Sequence, residues 1–148
     1  MFTLRRLGAV LTVSVLLAAC GGAGSGHVGA DGSHAAQTLT RAFHALATGD
    51  GATICGLATP AGQRSLAAAV PGANCAKVIR LVSAHLTTAQ KAALGSVRVR
   101  NVSVSGGEAT IRATDIVSSH GSLRGFLSAK SAPTRLRKQS DGSWKIEG

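Results

Sequence analysis

The chain predicts an α+β fold, with helices from its first half packed on one face of an antiparallel sheet built from its second half. Three observations point there. Apolar residues recur at helical spacing from Ala35 to about Leu86, the period changes to two from Gly95 onwards, and Gly- or Pro-containing turns separate the segments. Helices followed by strands argue for α+β, whereas a parallel sheet would need the two to alternate.

The first helix is read over Ala35–Thr48, where Leu39, Phe43 and Leu46 stand at i, i+4 and i+7; Gly49 stops it and Asp50 caps the next piece. A short helical piece follows with Ile54, Cys55 and Leu57. Pro60 suits the first turn of a helix holding Leu66 and Val70, and Pro71-Gly72 ends it. Asn74 then caps a longer helix whose Cys75, Val78, Ile79, Val82 and Leu86 share a face. In the second half Val97 and Val99 stand in one phase and Val102 and Val104 in the other, so an extra residue must be absorbed near Arg100-Asn101. A β-bulge is expected there. Ser105-Gly106-Gly107 turns the chain into a strand with Ala109, Ile111 and Ala113, and Ser122–Ala129 is read as a further strand. Thr134–Gln139 and Ser143–Glu147 close the order as a hairpin around Ser140-Asp141-Gly142, with Leu136, Trp144 and Ile146 inward.

Composition limits what this order can build. With 148 residues, 45% hydrophobic, 15% charged and three Pro, the chain suits one modest domain and is neither collagen-like, long and disordered, nor multi-spanning. There is no Tyr, so Phe43, Phe126 and Trp144 are the aromatic residues left to a largely aliphatic core.

The front of the chain reads as an export signal. Arg5 and Arg6 form a positive n-region, and Leu7–Leu17 is an apolar run too short to cross a hydrocarbon core of ~30 Å. Leu17-Ala18-Ala19-Cys20 resembles the lipobox of bacterial lipoproteins. That resemblance implies removal of a signal peptide over residues 1–19 and lipidation of Cys20, with the protein held by its lipid at the extracytoplasmic face of the cell membrane. Two or three acyl chains, such as palmitate, suffice as an anchor, because each buried methylene contributes ~0.8 kcal/mol. An ordinary secretory signal beside a chance cysteine is the alternative. Leu7-Gly8 after the arginine pair matches a twin-arginine signal weakly, which favours the Sec route. Residues 20–34, rich in Gly, read as the lipidated cysteine and a flexible tether, leaving 35–148 as the folding unit. Gly24-Ser25-Gly26-His27-Val28-Gly29 matches a dinucleotide-binding pattern only in letters, since no strand precedes it.

Setting Cys20 aside leaves Cys55 and Cys75, an even pair in an oxidising compartment, and a disulfide worth ~3 kcal/mol is expected. Two buried thiols are the alternative. No CxxC, HExxH or Cys/His cluster occurs, so no redox motif, zinc site or other cofactor is indicated.

Ala47-Thr48-Gly49-Asp50 at the end of the opening helix, Cys55-Gly56-Leu57, Cys75, and the terminal Asp141-Gly142-Ser143-Trp144-Lys145-Ile146 strand resemble the small secreted NTF2-like lipoproteins of actinobacteria. The resemblance covers roughly residues 36–148. It implies a cone in which about three helices are wrapped by a curved antiparallel sheet. It does not imply one activity, because that fold carries isomerases, dehydratases and non-catalytic modules.

Two function classes follow. In NTF2-like enzymes a pocket between helices and concave sheet holds an acid and a Tyr or His partner. Asp115 continues the Ala109, Ile111, Ala113 alternation and is the candidate acid, with His44, His85 and His120 as possible partners; a strand ending near Ala113 would instead leave Asp115 solvated in a turn. GxSxG and SxxK are absent. The other class is a binding module. The net charge is +10, and Arg98, Arg112, Arg135, Arg137 and Lys145 fall opposite the inward phase of their strands, as a basic face for anionic lipid or wall polymer. A merely solvated basic face is the plainer alternative. Export and scarce aromatics argue against nucleic acid. The sequence is therefore read as an envelope lipoprotein acting as a non-catalytic binding or interaction module for an anionic surface or an envelope protein, the alternative being a small-molecule enzyme of the isomerase or dehydratase type.

Overall fold

A computed structural model describes residues 29–127 and 132–148. Its elements are α1 (Ala30–Thr48), α2 (Gly51–Leu57), α3 (Pro60–Ala68), α4 (Cys75–Ala84), α5 (Thr88–Gly95), β1 (Val97–Val99), β2 (Ser103–Ser105), β3 (Glu108–Ile111), a 3-10 turn (Ala113–Asp115), β4 (Ile116–Ser118), β5 (Thr134–Lys138) and β6 (Trp144–Ile146). The α+β expectation holds, with five helices and two antiparallel sheets among the described residues.

Helix α1 begins at Ala30, five residues ahead of the expected start and inside the stretch read as tether. Asp31 in its first turn suits the positive end of the helix dipole and accepts from Lys138 Nζ at 2.7 Å, while Gly32 and Ala35 are buried. At the far end Gly49 takes a left-handed φ of 75°. Its N–H reaches Leu46 O at 3.3 Å and that of Asp50 reaches Ala45 O at 2.8 Å, closing the helix on its own carbonyls. Asp50, Thr59 and Asn74 then cap α2, α3 and α4 by accepting from Thr53, Gly62 and Lys77 N–H.

Helix α4 turns Cys75, Val78, Ile79 and Ser83 inward, and it ends at Ala84, before Leu86. Val82, expected on that face, is exposed. A small residue is required where Ser83 meets the end of α1, since a Cβ on Gly49 would stand 3.1 Å from Ser83 Oγ. The expected disulfide joins Cys55 of α2 to Cys75 of α4, with Cα atoms 6.1 Å apart. Beside it the backbones nearly touch, and a Cβ on Gly51 would lie 2.5 Å from Ala76 O. Helix α5 has no counterpart among the expected elements. Thr87 and Gln90 form a reciprocal capping box that starts it, and Ala93 and Leu94 are buried.

The phase change near Arg100-Asn101 is a change of sheet, not a bulge in one strand. Strand β1 pairs with β4, Val97 opposite Ser118 and Val99 opposite Ile116, whereas β2 pairs with β3 in a second sheet of order β2-β3-β5-β6. Residues 122–127 are not strand: Phe126 and Leu127 N–H both bond back to Leu123 O at 2.8 Å, which makes a turn. The remainder of the expected Ser122–Ala129 strand lies outside the described residues. Its place is taken by Ile116–Ser118, because that segment supplies the partner β1 needs. The closing hairpin is as expected, with Leu136 opposite Ile146 and Lys138 opposite Trp144.

The core lies between α1, α5 and both sheets. Leu39, Leu94, Val97, Ile111, Leu136 and Trp144 meet there, each almost fully buried. A smaller cluster of Ala45, Ile54 and Ile79 seals the helical end next to the disulfide.

Candidate functional site

The inward face of α1 is Ala35, Leu39, Ala42 and Ala45. Helical geometry therefore gathers His34, Gln37, Arg41 and His44 on another side at spacings of three and four. That stripe borders three surface depressions. The first, about 250 Å³, lies between α1 and β6 and is lined by His34, Gln37, Thr38, Arg41, Trp144 and Lys145 among others. A second, about 510 Å³, has Gln37, Thr40, Arg41, His44, Arg98 and Val99 in its wall. The third, about 270 Å³, adds Ser96, Ser119 and His120 to His44 and Arg98. No Asp or Glu lines any of the three, and no described carboxylate lies within ion-pair distance of Arg41 or Arg98.

The five basic residues expected on one sheet face do not share it. Arg135, Arg137 and Lys145 do, because Arg137 stands opposite both Glu108 and Lys145. Arg98 belongs to the other sheet and Arg112 to the link between the two. The shared face also carries acid. Arg135 Nε lies 4.0 Å from Glu108 Oε1, and Arg137 Nε lies 2.5 Å from Glu147 Oε1. The hydrogen bond and charge of Glu147 raise the Arg137 guanidinium above its usual value. Lys145 turns aside and donates from Nζ to Gly56 O.

Asp115 is not on a strand. Pairing of β3 stops at Ile111, the chain enters the 3-10 turn, and Asp115 Oδ1 accepts from the exposed Asn101 side chain at 2.8 Å. Among the described residues no hydrogen bond joins it to His44, His85 or His120. His120 Nδ1 lies 3.3 Å from Ser119 Oγ, and His85 ends α4 in an exposed position. Two other carboxyls are held below the usual carboxylate range by local hydrogen bonds: Asp50 by the Thr53 hydroxyl and N–H, and Asp141 by Ser143. Both serve turns and caps. No three His, Cys, Asp or Glu residues gather as a metal site among the described residues, and none of the described helices is long and apolar enough to cross a membrane. Cys20 lies outside the described residues.

Sequence reasoning missed Arg41, His34 and Gln37. The signal was present in the 34-37-41-44 polar spacing of the first helix, but the alternating charges of the strands are the more conspicuous pattern. Comparison of the chain with protein-family models, curated proteins and solved structures finds no match.

Proposed function

We propose that the chain is an extracytoplasmic lipoprotein, lipidated at Cys20, whose domain is a non-catalytic binding module at the membrane face and whose α+β architecture is an NTF2-like cone. The observation that carries the reading is where the apolar side chains go. Leu39, Leu94, Ile111, Leu136 and Trp144 fill the space between helix and sheet in which a cone enzyme keeps its substrate, and Asp115 stands outside it. The concave features are on the outer surface, bordered by cations.

The placement of α1 supports the anchoring half. It starts at Ala30, so residues 20–29, fully extended, reach at most about 35 Å from a lipidated cysteine. The polar stripe that carries Arg41 begins one turn later, at His34. The test is mass spectrometry of the N-terminal peptide from membrane-extracted protein expressed in a bacterium, beside a Cys20→Ala variant. An acylated peptide beginning at Cys20, with unprocessed or shed protein in the variant, is expected. An unmodified mature N-terminus in membrane-extracted wild type refutes it.

A further inference from the structure

We propose that the depression between the first half of α1 and strand β6 is a binding site for a phosphate oxyanion. Two independent observations converge on it. The first is chemical. Its polar side chains include the Arg41 guanidinium, the Gln37 amide, the Thr38 hydroxyl and the His34 ring, with no carboxylate in the wall; Lys145 also borders it, but its Nζ is given to Gly56 O. Arg41 is exposed, and its planar fork matches two oxygens of one phosphate. Outside the wall, Asp141 accepts from Ser143 N–H at 2.9 Å and sets its charge against Lys145, and Asp31 pairs with Lys138.

The second observation is an unmade hydrogen bond. Trp144, which lines the depression, is 3% exposed, and its Nε1 is the buried side-chain nitrogen or oxygen left without a partner among the described residues. An indole N–H can only donate, and a buried donor without an acceptor is costly; Nε1 has no exposed surface of its own, so an oxyanion completes it only where the wall side chains part to admit one oxygen. Gln37 and Arg41 also border the neighbouring depression toward Arg98, which leaves room for a group larger than phosphate itself. The phosphate can come from a lipid headgroup or from solution. Only the lipid source rests on the anchoring reading.

Trp144 is the single Trp and there is no Tyr, so intrinsic fluorescence reports this site alone. The experiment uses residues 20–148 carrying Cys20→Ser, which retain every described residue. The protein is titrated at constant ionic strength with inorganic phosphate, and separately with vesicles of phosphatidylglycerol or of phosphatidylcholine. A saturable emission change with phosphate, or with phosphatidylglycerol but not phosphatidylcholine, is expected, and the pattern identifies the source. R41Q should weaken binding about tenfold. R80Q, on the exposed side of α4, should bind as wild type, with both variants unfolding at the wild-type temperature. By calorimetry W144F, which keeps a ring but lacks the N–H, should also bind more weakly. No response to either phosphate source, or wild-type affinity in R41Q, overturns the proposal. If Cys20 is unmodified yet phosphate binds, the anchoring reading falls and this site stands; if Cys20 is acylated but phosphate does not bind, the anchor stands and this site falls.

Discussion

Replacing both cysteines, C55A with C75A, should cost this domain far more than the loss of two small side chains. The bridge closes a loop with a sequence separation of 20, and the chain-entropy relation gives ~3.3 kcal/mol for that length. Little should be lost from the native contacts, because α2 and α4 already touch at Gly51 and Ala76 and share Ile54 and Ile79. The cost therefore falls on the unfolded ensemble. At about 4–8 °C per kcal/mol for a small domain, the melting temperature should drop by roughly 13–26 °C.

Helix α3 lies inside the closed loop and buries only Gly62 of its own length. It is otherwise held by Thr59 N–H donating to Ile146 O at 2.8 Å, by Gln63 Nε2 donating to Cys55 O at 2.7 Å, and by Leu66 packing on the small Ala45, Ile54 and Ile79 cluster. Its amides should exchange first in the bridge-free protein. Urea unfolding followed by far-ultraviolet dichroism and by Trp144 emission measures the total, and reductant should bring wild type to the level of the variant without moving the variant. A loss under ~1 kcal/mol at unchanged m-value would refute the loop-closure account.

Two further outcomes are expected. Gly51→Ala should destabilise by about 1–3 kcal/mol in urea, because the new Cβ would meet the Ala76 backbone rather than a side chain that can turn away. The acid limb of stability should depend on Asp50 and Asp141: both carboxyls are depressed in the folded state, so the unfolded chain binds protons more readily, and the stability they supply is present above about pH 4 and lost as pH falls through their lowered values. Asp50→Asn should flatten that limb in a pH series of thermal melts, and an unchanged limb in this variant with Asp141→Asn added would count against the assignment.

What the sequence disclosed was what local chemistry decides. The Ser140-Asp141-Gly142 turn and the alternation around Leu136 and Trp144 give the last hairpin its register, and the caps at Asp50 and Asn74 mark real helix starts. Helix α5 was hidden because eight residues with two buried side chains carry almost no period, although its Thr87-x-x-Gln90 box was in view. The break at Arg100-Asn101 was visible, but its meaning depends on a partner strand at Ile116–Ser118, which a window along the chain does not contain. Residues 122–127 of the expected Ser122–Ala129 strand failed for the converse reason: an apolar spacing resembles a strand until pairing with a neighbour is asked of it.

The same distinction governs the charge. Alternation correctly put Arg135, Arg137 and Lys145 on one face, but only the register reveals Glu108 and Glu147 among them. Exposed pairs of this kind add little to stability, so their effect is better sought in the field they leave behind. They cancel much of the attraction of the sheet face for anions. The side of α1 has no such acids lining it, and Arg41 and Arg98 stay uncompensated there. This helix also receives the chain arriving from Cys20 and packs on α2, α4, α5 and both sheets, so its orientation is that of the whole domain. Of these two surfaces the side of α1 is thus the one whose positive field is not offset by acids, and under the proposal a phosphate held beside Trp144 sits against the core.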